Sequence, residues 1–157
     1  MPAGQWVLLA YRLPREPSTP RIALWRALRR LGAAQLIDGL VALPADSRTR
    51  EQLQWLADSV VDAGGQAMVW LAQPDSRALE RDIAAGMRAA AGEEYRRLAG
   101  QAVAAGDDAA GSRKRTVGRL RRELRRIRRR DYFGAPEGEE ARAALERLAR
   151  SVDEVTA

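Results

Sequence analysis

The chain contains neither cysteine nor histidine. The first absence excludes a disulfide scaffold and thiolate metal sites. The second removes Ser-His and Cys-His catalysis and most zinc or copper chemistry, leaving only carboxylate-ligated ions such as Mg²⁺ open. No apolar run reaches the roughly 20 residues that a membrane span needs. The N-terminal Met1-Pro2-Ala3-Gly4-Gln5-Trp6 has neither the basic region nor the apolar stretch of a secretory signal. A cytoplasmic protein with no membrane partner is expected. Lysine is nearly missing as well: Lys114 is the single one among 27 basic residues.

What is present is a globular chain with one abnormal segment. Its 157 residues suffice for one or two compact units, and an apolar content of 46% is too high for disorder. Between Arg113 and Arg130, 11 of 18 residues are basic and only Glu123 is acidic, a net charge of +10. The remaining 16 basic and 20 acidic residues leave the rest of the chain at −4. A field so concentrated seeks a polyanion, for which nucleic acid is the first candidate.

Periodicity predicts the architecture. Trp6–Tyr11 reads as a buried strand closed by Leu13-Pro14. Ser18 is placed to cap a helix with Pro20 in its first turn, Ile22, Trp25, Leu28 and Leu31 as its apolar stripe, and Gly32 as its stop. Gln35–Ile37 and Leu40–Leu43, separated by Asp38-Gly39, form a hairpin that Pro44 ends. Asp46 or Ser47 caps a second helix whose core face is Leu53, Leu56 and Val60 with Trp55 beside them. Gly64-Gly65 ends it, and Ala67–Leu71 is a fourth strand. The order βαββαβ predicts an α+β ferredoxin-like sandwich over residues 1–74, four strands covered on one face by two helices.

From residue 75 to 157 only helical patterns occur, which predicts a C-terminal helical hairpin or array. Leu79, Ile83, Met87 and Ala90 begin one stripe that continues through Tyr95 and Leu98. Ala105–Gly111 is a flexible connector, the basic helix occupies 113–130, and Asp131–Pro136 is a hinge with aromatics to dock the helix end. Ala141, Leu145, Leu148, Val152 and Val155 share one face of the last helix.

In the basic helix, Val117, Leu120, Leu124 and Ile127 make one narrow apolar stripe. The candidate nucleic-acid contacts are Arg113, Lys114, Arg115, Arg119, Arg121, Arg122, Arg125, Arg126, Arg128, Arg129 and Arg130. Pairing with Glu93, Glu94, Glu137, Glu139, Glu140 and Glu146 on neighbouring helices is the competing explanation of these charges. Like charges at i,i+4, such as Arg121/Arg125 and Arg122/Arg126, cost about 0.2–0.5 kcal/mol each, which argues for an anionic partner. A membrane surface is disfavoured because the stripe has no Trp or Phe to insert.

A second cluster, Arg12, Arg15, Arg21 and Arg26, lies about the end of the first strand and the start of the first helix, where guanidinium groups can hold an oxyanion. Ordinary surface arginines are the other reading. Trp6, Trp25, Trp55 and Trp70 each sit on an apolar face and read as core. Asp107-Asp108 and Glu139-Glu140 read as solvated carboxylates. There is no phosphate loop, dinucleotide fingerprint or nucleophile elbow, so no catalytic residue, metal or cofactor is assigned and no enzyme is expected.

An ordered set of short motifs carries a family resemblance. It begins with Trp6-Val7-Leu8-Leu9, Tyr11-Arg12-Leu13-Pro14, Pro17-Ser18, Arg21, Trp25-Arg26 and Leu31-Gly32-Ala33. It continues with Asp38-Gly39, Leu43-Pro44, Trp55-Leu56-Ala57, Gly64-Gly65 and Glu94-Tyr95, and closes on Arg126-Ile127 and Arg130-Asp131-Tyr132-Phe133-Gly134-Ala135-Pro136. This set resembles the N-terminal domain of the chromate-resistance regulator ChrB. The resemblance implies a bacterial, chromate-responsive transcriptional regulator whose full-length form has a further C-terminal domain for chromate sensing or handling. The chain ends at Ala157 and is expected to be a stand-alone module or a part of such a regulator.

The βαββαβ part also resembles the small nuclease of CRISPR systems and the related domain of PaaX-type repressors. In the nuclease an Asp at the end of the first strand is implied to bind metal. Tyr11-Arg12 stands there instead, which argues against metal-dependent phosphodiester hydrolysis. Similar sandwiches often dimerise, so the analogy implies a homodimer. The leading expectation is a non-enzymatic DNA-binding regulator. An oxyanion (chromate) sensor without DNA binding and a protein–protein module using the basic helix are the alternatives.

Overall fold

A computed structural model describes residues 4–156. The elements follow in the order β1 (Trp6–Arg12), α1 (Thr19–Leu31), β2 (Ala34–Ile37), β3 (Leu40–Pro44), α2 (Ser47–Asp62), β4 (Gln66–Ala72), α3 (Arg77–Ala104), α4 (Ala110–Arg130) and α5 (Glu137–Thr156). Two compact units result, Met1–Gly86 and Met87–Ala157, so the division falls inside α3.

In the first unit the strands form one antiparallel sheet in the order β2-β3-β1-β4, the expected ferredoxin-like arrangement. The apolar β1 takes a central place because it is flanked by apolar partners on both sides. Val7 lies opposite Leu43 and Leu71, and Leu9 opposite Val41 and Val69. Val7, Leu9 and Leu43 are fully buried, together with Leu24 and Leu28 of α1 and Leu53, Ala57 and Val60 of α2. The sheet's other face is only partly covered: Trp6 and Ala42 are buried there, while Met68 and Trp70 are both 57% exposed. The β2–β3 hairpin turns on Asp38-Gly39 with Gly39 at φ +77°, where a Cβ would also run into the Tyr11 carbonyl.

Local chemistry decides the helix ends. Asp46 caps α2: its carboxylate accepts from the Thr49 N–H at 2.7 Å, and the Thr49 hydroxyl accepts from the Asp46 N–H at 2.9 Å. The Thr49 N–H holds the Asp46 carboxyl below its ordinary range. At α1, Ser18 occupies the capping position, but its side chain makes no cap hydrogen bond. Pro44, expected to stop β3, is its last residue.

The expected α1 stripe is corrected. Leu24 and Leu28 are buried, whereas Ile22 and Trp25 are 46% and 56% exposed. Two apolar stripes overlap in this helix and share Leu28, and spacing alone does not rank them. The tryptophans are corrected for one physical reason: a buried indole N–H needs an acceptor. Trp6 has one, the Glu80 carboxylate at 3.2 Å, and is buried. Among the described residues Trp25, Trp55 and Trp70 have none, and all three are exposed.

The second unit is a three-helix array. Its core joins Tyr95, Leu98 and Ala102 of α3, Val117, Leu120, Leu124 and Ile127 of α4, and Ala141, Ala144, Leu145 and Leu148 of α5. The α3 stripe becomes buried only from Ala91 on, with Leu79 and Ala90 exposed. Val155, assigned to the α5 face, is exposed as well. The connector is shorter than expected. A 3-10 turn at Ala105–Asp107 follows α3 directly, and α4 has already begun at Ala110.

Candidate nucleic-acid interface

The four apolar residues of α4 dock it against its neighbours and so orient its charges. At 100° per residue, Arg115, Arg122, Arg126 and Arg129 form the ridge opposite the buried stripe. Lys114, Arg121, Arg125 and Arg128 flank one side of it and Arg119 the other. All nine of these residues are exposed, while Arg113 and Arg130 are half-buried. The segment from 113 to 130 is about 27 Å long at 1.5 Å per residue. Its last turn, Arg128-Arg129-Arg130, also puts cations where the helix dipole favours them.

The acids expected to neutralise this helix are mostly engaged elsewhere. Glu93 and Glu137 pair with Arg96, Glu139 and Glu146 with Arg142, and Glu140 with Arg147. Of these six acids only Glu94 reaches α4, where it binds Arg130 together with Glu123. Arg126 makes an exposed pair with Glu123 at 3.4 Å. Among the described residues the other nine basic groups of the segment make no ion pair. Two of those nine have neutral acceptors: Arg119 donates to Gln101 at 2.9 Å and Arg113 to the Gly106 carbonyl at 3.5 Å.

The C-terminal end of α4 is tied down. The Asp131 carboxylate accepts from the Ala135 N–H at 2.9 Å and from the Tyr95 hydroxyl at 3.0 Å. The segment expected to be a hinge is therefore latched to α3, and Tyr132 and Phe133 in it are half-buried. Burial, then the bond to Asp131, pushes the Tyr95 hydroxyl up to about 12. With the folded value above the ordinary value of about 10, this group's stabilising share is complete below pH 10. It is lost as pH rises from about 10 through about 12. The thermal midpoint of the chain should fall over that window, and Tyr95→Phe should reduce the fall. An identical profile in the two proteins would contradict the assignment.

The four arginines of the second cluster are all exposed and only partly assembled. Arg12 and Arg21 share a cleft beside the end of β1. Arg15 supplies its carbonyl oxygen to Arg21 at 3.5 Å, and neither Arg15 nor Arg26 lines the cleft. Sequence reasoning held Glu94 as one of six candidate partners of the basic helix but did not single out its clamp on Arg130, 36 positions away. It also missed Trp25, which lies on the cleft wall.

The family model for the N-terminal part of protein ChrB matches residues 21–104, more than half of the chain. The chain belongs to the ChrB N-terminal family. Protein ChrB of Cupriavidus metallidurans is 39% identical over 70 residues, covering 45% of this chain and 21% of that protein. The match thus spans about a fifth of that relative's length. No solved structure matches. The ChrB_N region runs from the first turn of α1 to the end of α3, so Arg21 and Trp25 lie inside it and α4 lies beyond it. No helix is long and apolar enough to cross a membrane, among the described residues.

Proposed function

We propose that this chain is the DNA-binding module of a ChrB-type chromate-resistance regulator, non-enzymatic, with α4 as its contact to the phosphate backbone. The observation that carries the reading is the helix surface itself: nine exposed cations along about 27 Å, with the nearby acids engaged by other arginines. Duplex DNA presents one charge per ~1.7 Å of axis, so this length spans enough phosphates to engage most of the ridge and its flanks. Arginine suits the task because its planar donors grip phosphate oxygens two at a time. Such contacts position a protein on the duplex and carry no base sequence directly. Family membership supports the regulatory context.

The test is an electrophoretic shift with the chain's own upstream DNA, with and without chromate, at several salt concentrations. About six phosphate contacts would give log affinity a slope near −5 against log salt, and chromate would release the DNA. A flat salt response, or no complex at low salt, would remove the DNA reading. Release by sulfate equal to that by chromate would remove the chromate response.

A further inference from the structure

The cleft beside the end of β1 has a volume of about 820 Å³ and is walled in part by Arg12, Arg21, Ile22, Trp25 and Asp38. That volume falls within the ~300–1,000 Å³ of ordinary small-molecule sites. A bare tetrahedral oxyanion would leave most of it to water. Arg12, Arg21 and Asp38 sum to one positive charge, and Arg29, where it stacks on Trp25, adds a second, so the cleft suits a phosphate group. Neither Arg12 nor Arg21 makes an ion pair among the described residues; Arg21 gives one N–H to the Arg15 carbonyl at 3.5 Å and keeps its other donors for a ligand.

The wall has an aromatic surface that packing does not explain. Trp25 is 56% exposed and Ile22, one helical turn before it, is 46% exposed. The Arg29 guanidinium lies 4.9 Å from the centre of the Trp25 ring and steadies the indole. A solvent-facing indole with Arg29 on one face and two further guanidinium groups beside it is the arrangement with which proteins hold unstacked nucleotides: a base on the free face of the ring, the backbone on the cations. The indole N–H, unpartnered among the described residues, would find acceptors on a nucleobase or sugar.

We propose that this cleft takes one unstacked nucleotide, its phosphate on Arg12 and Arg21 and its base stacked on Trp25, with Asp38 as acceptor for a sugar hydroxyl or a base amino group. The site belongs to the ferredoxin-like unit and is independent of α4, so either reading can fail without the other. The nucleotide can come from a single strand or from the free pool, and two probes separate these sources.

The host is the full chain with Arg115, Arg122, Arg126 and Arg129 changed to Gln, which silences the α4 ridge. Anisotropy is followed with a labelled single-stranded octanucleotide, and calorimetry with 5′-AMP, sulfate and chromate. The octanucleotide should bind, and Trp25→Ala should weaken it about tenfold or more. Trp25→Phe should keep most of the affinity, and Arg21→Gln should lose it. Binding of 5′-AMP with the same sensitivity to Trp25 assigns the free nucleotide as sufficient; binding of the octanucleotide alone assigns the strand. Unchanged binding in Trp25→Ala, no binding of either probe, or displacement by sulfate or chromate at equal concentration overturns the proposal.

Discussion

Changing Arg115, Arg122, Arg126 and Arg129 together to glutamine is expected to weaken duplex binding about a thousandfold at low salt. The slope of log affinity against log salt should become shallower by about 3–4 units, roughly 0.9 for each phosphate no longer neutralised. The chain should stay folded. All four residues are exposed, and the single ion pair broken, Arg126–Glu123, is a surface pair of small worth. The substitutions also relieve i,i+4 repulsion at Arg122/Arg126 and Arg125/Arg129, about 0.2–0.5 kcal/mol each. The melting temperature should therefore hold or rise slightly. Anisotropy titration over a salt series reads the first effect and circular dichroism the second. Full affinity in the quadruple variant would show that the ridge does not face DNA.

Arg130 should behave in the opposite way, although it adjoins Arg129. Its side chain is only 13% exposed and binds the Glu94 carboxylate through two nitrogens, with Glu123 beside it at 3.5 Å. Arg130→Met keeps much of the length of the side chain and removes the charge, leaving Glu94, 25% exposed, without its partner. The expected cost is about 2–3 kcal/mol, because a half-buried carboxylate loses charge-assisted hydrogen bonds that water only partly replaces. The double variant Arg130→Met/Glu94→Leu should recover most of that loss, since a hydrophobic pair of similar volume replaces a desolvated ionic one. Urea unfolding followed on the helical signal tests both. A single variant as stable as the parent would show that the clamp is ornamental to the fold, and a double variant worse than the single would refute the account of its energetics.

These two arginines show where sequence reading succeeds and where it stops. The apolar stripe of α4 was legible because helical period places Val117, Leu120, Leu124 and Ile127 on one side, and all four are buried. The start of α2 was legible to within one residue, Asp46 or Ser47, and the reciprocal bonds with Thr49, three residues on, decide for Asp46. The hairpin at Asp38-Gly39 was legible because its turn needs a positive φ. In each case the deciding interaction lies within a few residues of chain. The Arg130–Glu94 pair and the Tyr95–Asp131 latch each join residues 36 positions apart, and no local pattern encodes them. The α1 face failed for a related reason. Both leucine and tryptophan stripes satisfy the helical period, and the choice rested on which could be covered without stranding an indole N–H.

By itself, then, the sequence determined the order βαββαβ followed by helices, the concentration of charge in one amphipathic helix, and the absence of histidine and cysteine chemistry. Those are properties of composition and of short-range spacing. Tertiary structure alone decided which charges are free. It spent the carboxylates of α3 and α5 mostly on Arg96, Arg142 and Arg147, drew Arg130 inward, and left the ridge of α4 facing solvent. It also turned Trp25 outward onto a cleft with Arg12 and Arg21. Charge pairing and side-chain burial depend on what the rest of the chain brings within a few ångströms, and that is settled only when the elements pack.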